Sequence, residues 1–158
     1  MIDRDPLIAA QRAALQPAWV RGAPIMSFGA VPGGDKLAAN IRRSIAKLHA
    51  AGARIIIGTD SPFTPSGLNT HNELYQAVRA GLTPYEALRA ATIVPAELMG
   101  TDRDLGTLER GKIADIVFVE GNPLEDITTA SHVRRVMIGG RLWSIEELTR
   151  FPAGNSRR

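Results

Sequence analysis

Asp60 is the residue best placed to do chemistry. It follows Arg54-Ile55-Ile56-Ile57-Gly58, a short apolar run that reads as a strand, and it opens the loop Thr59-Asp60-Ser61-Pro62-Phe63-Thr64-Pro65-Ser66-Gly67. In α/β folds the loops at the C-terminal ends of strands are where ligands bind. A carboxylate there can coordinate a metal ion or act as general base toward a bound water. The same carboxylate can instead close the loop on itself as an Asx-turn, and spacing alone leaves both roles open. His71 stands eleven residues on, in the first turn of a following helix. It can reach the same strand end and touch a substrate, or it can be a solvated first-turn histidine. His49 falls on a cationic helix and reads as a surface residue. His132 precedes a strand and has no metal-ligand spacing with the other two. His-x-His and His-Glu-x-x-His are absent from the sequence, so three dispersed histidines make no metal site by themselves.

Other chemistries find less support. The sequence contains no cysteine, which excludes a disulfide scaffold, a thiol nucleophile and Cys-ligated zinc or iron–sulfur sites. Ser27, Ser61 and Ser66 lack the Gly-x-Ser-x-Gly elbow of serine hydrolases. Pro32-Gly33-Gly34-Asp35-Lys36 precedes a helix but has no Walker spacing, and it reads as a loop admitting that helix. The cations outnumber the acids by 19 to 16, giving a net charge of +3. They occur as scattered pairs (Arg42-Arg43, Arg134-Arg135, Arg157-Arg158), and aromatics are only 5%. A nucleic-acid surface needs a basic stripe with interleaved aromatics, so no nucleic-acid partner is expected. The start of the chain lacks a positive region followed by an apolar core, and no apolar run approaches a membrane span. A cytoplasmic protein without membrane contact is the expectation.

The elements that position Asp60 and His71 can be read from periodicity. Residues 1–34 are punctuated by Asp5-Pro6, Gln16-Pro17, Pro24, Pro32, Gly33 and Gly34 and read as irregular, with a short helix between Pro6 and Gln16. Asp35 is placed to cap a helix whose apolar stripe is Leu37, Ile41, Ile45 and Leu48, ending near Gly52. The strand over 54–58 lacks alternation, as in a parallel sheet covered on both faces. Thr70-His71-Asn72-Glu73 and Thr83-Pro84-Tyr85-Glu86 have capping-box spacing. They predict helices to about Ala80 and Ala91, and a further helical turn precedes Gly100. The texture then changes. A strand over 113–119 is followed by a Gly121-Asn122-Pro123 turn, a hairpin with Gly139-Gly140 at its tip, and a last short helix capped by Ser144. One buried parallel strand is not a sheet, and this sequence does not clearly supply its neighbours.

Taken together the motifs resemble the metal-dependent amidohydrolase superfamily, in its imidazolonepropionase and prolidase-like branch. Ala51-Gly-Ala-Arg-Ile-Ile-Ile-Gly-Thr-Asp60 resembles the last barrel strand. His71-Asn-Glu-Leu74, Ala80-Gly-Leu-Thr-Pro-Tyr-Glu-Ala-Leu88 and Ala90-Ala-Thr92 look like the helices after it. Leu105-Gly-Thr-Leu-Glu-Arg-Gly-Lys-Ile-Ala-Asp-Ile-Val117, Gly121-Asn-Pro-Leu-Glu-Asp-Ile127 and Val136-Met-Ile-Gly-Gly-Arg141 are similar to the return into the family's small β domain. The resemblance implies an α/β fold: the C-terminal portion of a (β/α)8 TIM barrel, its last strand and flanking helices, plus part of a small β-sandwich domain. On that reading residues 1–104 are barrel, with the loop after strand seven near Asp3–Trp19. Residues 105–150 belong to the β domain, and 151–158 are a tail.

The resemblance also implies a divalent metal, zinc, in one or two copies. Asp60 would be its strand-eight ligand and the acceptor of the attacking water's proton. His71 would line the substrate pocket, and Asp115 would be structural. The reaction implied is hydrolysis of a C–N bond in a small amide, cyclic amide or dipeptide. The family's other ligands have no counterpart in the sequence: His-x-His on strand one, histidines on strands five and six, and often a strand-four Lys or Glu. A barrel takes about 250 residues against 158 here. The expectation is a C-terminal fragment, inactive alone, that needs the missing barrel segment or forms homo-oligomers. The competing class is a non-catalytic module whose exposed apolar edges drive docking, including a subunit that completes a barrel with a partner chain.

Overall fold

A computed structural model describes residues 33–59 and 68–150. The first helix, α1, spans Gly34–Ala50. Its N-cap is Gly33 in the left-handed conformation (φ 78°), with no side-chain cap hydrogen bond. This corrects the placement of Asp35 as the cap: Asp35 lies inside the first turn, where its charge complements the helix dipole. The expected stop at Gly52 is present as a Schellman turn. Gly52 takes φ 80°, its N–H donates to the His49 carbonyl at 2.9 Å, and the Ala53 N–H donates to the Leu48 carbonyl at 3.0 Å.

Residues 53–59 follow without strand assignment, in place of the strand expected over 54–58. A strand is defined by its ladder, and the described residues offer this segment no parallel partner. Helix α2 spans Leu68–Arg79. Thr70 is therefore an interior residue of the first turn and forms no capping box. Glu73 instead accepts from the Asn69 side chain at 3.3 Å, an i,i+4 pair on the helix surface. A second Schellman turn closes α2: Gly81 has φ 108°, and the Leu82 N–H reaches the Ala77 carbonyl at 3.2 Å.

Helix α3 spans Pro84–Ala90 and carries the capping box read from sequence. The Glu86 N–H donates to Thr83 Oγ1 at 3.2 Å, and the Thr83 N–H donates to Glu86 Oε2 at 2.8 Å. Helix α4 spans Ile93–Met99 and ends at left-handed Gly100. A connection over 101–115 follows. Lys112 holds it together, donating to the Asp102 carbonyl at 2.7 Å and to Thr107 Oγ1 at 2.5 Å. Gly106 packs so close to α4 that an added Cβ would lie 2.8 Å from Ile93 Cα.

The sheet has three antiparallel strands in the order β1 (Ile116–Val119), β2 (Val133–Ile138), β3 (Arg141–Ser144). β1 is shorter than the 113–119 expected. A short 3-10 turn over Ile127–Ser131 leads into β2. The β2–β3 hairpin pairs Ile138 with Arg141 across a two-residue turn. Gly139 (φ 55°) and Gly140 (φ 82°) occupy it, the positive-φ pair that a type I′ turn requires. Asp115 Oδ1 accepts from the Gly139 N–H at 2.7 Å, which gives Asp115 a structural contact. Helix α5, Ile145–Thr149, starts with the Ser144–Glu147 capping box.

The core is Leu74 and Ala77 of α2, Leu82, Ala87 of α3, and Ile127 and Ala130 of the 3-10 turn. It joins α2 and α3 to the 3-10 turn that precedes β2. Ile45, Ile55, Ile57, Tyr75 and Val78 pack around it. The α1 stripe is only partly used: Ile45 meets the core, while Leu37, Ile41 and Leu48 are exposed. The readings made for residues 1–32, the Asp60 loop through Gly67 and the tail 151–158 lie outside the described residues.

Candidate active site

The segment that leads to Asp60 is fastened at two points. Arg54 donates to Glu97 Oε2 at 2.5 Å and to the Val94 carbonyl at 3.4 Å, tying its start to α4. The Ile57 N–H donates to the Ala90 carbonyl at 2.9 Å, tying its middle to the end of α3. Ile55 and Ile57 then point into the core, as alternation demands. No spacing rule in the sequence pairs Arg54 with an acid 43 residues away. Asp60 itself lies outside the described residues, so its carboxylate has no described geometry.

His71 is half-buried in the first turn of α2. Its Nδ1 atom is fully buried and has no hydrogen-bond partner among the described residues. The solvated first-turn histidine allowed by the sequence is therefore not what the structure shows. A signal for this was present: His71, Leu74, Tyr75 and Val78 fall at i, i+3, i+4 and i+7, the spacing of a core-facing stripe. Burial holds the imidazole pKa below its ordinary value near 6.5. His71 is accordingly neutral at pH 7, with one ring nitrogen free to donate and one to accept. Glu73, two residues on, is shifted the other way. Burial raises its carboxyl pKa, partly offset by the hydrogen bond from Asn69.

His49, read as a surface residue, is half-buried and joins α1 to α3: its Nε2 lies 3.2 Å from Glu86 Oε1. The same Glu86 completes the α3 cap, and its pKa is lowered first by the backbone and hydroxyl hydrogen bonds from Thr83 and then by His49. His132 caps the 3-10 turn, and its carbonyl accepts from the Glu120 N–H at 2.9 Å. The three histidines are not brought together. Among the described residues no group of three His, Asp or Glu side chains is placed to hold a metal ion. The single unpartnered imidazole nitrogen falls short of the three protein ligands a catalytic zinc takes, so these residues alone do not fit a metal centre. Among the described residues no helix is long and apolar enough to cross a membrane.

The sequence pattern of the Amidohydrolase family matches residues 30–143. The chain is similar to ochratoxinase from Aspergillus niger, 42% identical over 98 residues, which are 59% of this chain and 20% of that one. It is similar to a 5-methylthioadenosine/S-adenosylhomocysteine deaminase from Caldanaerobacter subterraneus subsp. tengcongensis, 27% identical over 62% of this chain and 28% of that one. Among solved structures it resembles a Xaa-Pro dipeptidase with methionine bound in its active site. That likeness has a TM-score of 0.65 at 27% identity and covers 88% of this chain and 34% of the dipeptidase. The chain thus spans about a fifth to a third of the length of these relatives. Such neighbours imply a barrel-type α/β fold, of which the described residues hold helices and a small antiparallel sheet. The chain belongs to the amidohydrolase family.

Proposed function

We propose that this chain is the C-terminal part of a metal-dependent hydrolase that cleaves a C–N bond in a small amide, cyclic amide or dipeptide. The observation that carries the reading is the family match over residues 30–143, which spans the core-anchored segment 53–59 and the Asp60 that follows it. The names of the relatives support the chemistry: an ochratoxinase, a deaminase and a dipeptidase. A divalent ion, zinc in this reading, acidifies water and polarises a carbonyl when bound. Asp60 would contribute one carboxylate to that ion and would accept a proton from the attacking water. His71 offers a neutral, dehydrated imidazole to the substrate, as donor or acceptor. Burial is the useful property here, because a hydrogen bond made by a buried group is stronger than one made in water. The remaining ligands come from barrel segments this sequence does not contain, and the three-stranded sheet is one layer of the family's small β-sandwich. The protein works in the cytoplasm on this reading.

The test is a chimera in which this chain replaces the matched third of the Xaa-Pro dipeptidase. It is expected to hold zinc and to hydrolyse dipeptides or N-acyl amino acids. Asp60→Asn is expected to lower kcat by about 10²–10⁴-fold, the range for loss of a general base. A zinc-loaded chimera that hydrolyses none of these would refute the reading, as would one indifferent to Asp60→Asn. Tight stoichiometric zinc and turnover in the isolated chain would refute its incompleteness.

A further inference from the structure

We infer that His49 is a proton-operated positioning residue: a charged imidazole tightens its tie to Glu86 and holds the turn that launches residues 53–59 against α3. The tie stands on geometry, and only its consequence, the presentation of Asp60, rests on the hydrolase reading above. His49 lies in the last turn of α1, and its carbonyl accepts from the Gly52 N–H in the turn that ends that helix. Its Nε2 lies 3.2 Å from Glu86 Oε1 on α3. Beyond the turn, the Ile57 N–H donates to the Ala90 carbonyl at 2.9 Å. Glu86 and Ala90 are i,i+4 neighbours, one above the other along α3. One helix therefore grips the chain on both sides of the bend at Gly52.

The two side chains sit where a proton changes the bond between them. Glu86 is in the first turn of α3 and His49 in the last turn of α1, the helix ends that favour an anion and a cation respectively. Glu86 is fixed independently of His49. Its Oε2 accepts from the Thr83 N–H and from Thr83 Oγ1, both at 2.8 Å, and these bonds favour the ionised carboxylate. Oε1 is left for His49. A neutral imidazole meets it as a hydrogen-bond donor in one tautomer and as a facing lone pair in the other. A charged imidazole always donates from Nε2, and the bond is then charge-assisted. The side chains are 31% and 42% exposed, so water reduces the difference to that of a partly exposed pair.

Among the described residues Glu86 is the charged group that meets His49. On α2, Glu73 accepts from Asn69 and Arg79 lies over Tyr75. On α3, Arg89 lies over Tyr85, and in residues 53–59 Arg54 is paired with Glu97. On α1 itself, Arg42 reaches Gln76 and Lys47 shares the last turn with His49. The charged part of the tie is present in acid and is lost as pH rises through the range in which imidazoles give up their proton.

The experiment measures amide hydrogen exchange by NMR in the full chain at pH 5.5 and pH 8.0, expressed as protection factors so that the chemical exchange rate drops out. The probes are the Ala53 and Ile57 amides, which donate to the Leu48 and Ala90 carbonyls. In the wild type their protection is expected to be about two- to fivefold higher at pH 5.5, the range for a partly exposed charge pair. His49→Gln can still hydrogen-bond but gains no proton, and its protection is expected to be the same at both pH values. His49→Lys stays charged and is expected to keep at pH 8.0 the protection that the wild type loses. Glu86→Gln removes the anion and is expected to abolish the pH response. His71 titrates in every variant and cancels from the comparison. Helical circular dichroism confirms that each variant is folded; should loss of the α3 cap unfold Glu86→Gln, the two His49 variants decide alone. A wild-type pH response retained in His49→Gln would overturn the inference, as would higher protection at pH 8.0 than at pH 5.5. The readout is exchange and not turnover. An inactive dipeptidase chimera would therefore remove the hydrolase reading and leave the tie standing, while pH-independent protection in the wild type would remove the tie alone.

Discussion

At the scale of single residues, His71 carries the most testable electrostatics. Its folded pKa lies below the unfolded one, so between the two the unfolded chain binds more protons. Stability from this group is complete above about pH 6.5 and is lost as pH falls through the depressed folded value. Glu73 has the opposite sign. Its raised folded pKa makes its contribution complete below the ordinary carboxyl value, and that contribution is lost as pH rises. The melting temperature of the wild type is expected to fall further than that of His71→Leu between pH 7.5 and pH 5.5, because the variant has no imidazole to protonate. Thermal melts of the two proteins at both pH values check this; equal shifts would show that burial of His71 is not coupled to its charge. The histidine was identifiable in the sequence as a first-turn residue near a strand end. Its burial was identifiable too, from its place on the Leu74–Tyr75–Val78 stripe. What periodicity could not supply is the missing partner of Nδ1, because hydrogen-bond satisfaction depends on groups distant in sequence.

At the scale of elements, local chemistry wrote most of the boundaries. Gly52, Gly81 and Gly100 end three helices in left-handed conformations, where a side chain would be strained. Thr83–Glu86 and Ser144–Glu147 form the capping boxes that their spacing predicts. Thr83→Ala is expected to cost about 1 kcal/mol, the usual penalty for an N-cap, with Thr83→Ser close to neutral. A lowered urea midpoint at unchanged slope would report this loss. Thr70 and Asp35 went the other way, and the reason is shared. A capping residue works only at the helix boundary, and both boundaries lie one or more residues earlier than the polar residue suggested. At α1, glycine in positive φ begins the helix with no side-chain cap at all.

At the scale of the whole molecule, the balance between buried and exposed apolar surface decides behaviour. Among the described residues six of the ten buried hydrophobics are alanines, which lets α2, α3 and the 3-10 turn approach closely but removes little area from water. The isolated chain is therefore expected to bind a hydrophobic dye such as ANS at neutral pH while keeping its helical far-ultraviolet spectrum. A dye-silent isolated chain would show that its apolar faces are covered already.

The sequence by itself determined where helices stop, which dipeptide turns the hairpin, and which family the chain resembles. Each of these rests on a few adjacent residues and their allowed backbone angles. It also raised a physical complaint, a two-sided apolar run without neighbours, and the structure assigns no strand over 53–59. The tertiary structure alone decided which apolar residues are buried and what each charged or polar group meets. Only Ile45 of the α1 stripe reaches the core, Arg54 finds Glu97, and His49 finds Glu86. The core joins residues as distant as Ile45 and Ala130. Burial is a property of how elements come together, and pairs separated by 37 or 43 positions leave no periodic trace in the chain that carries them.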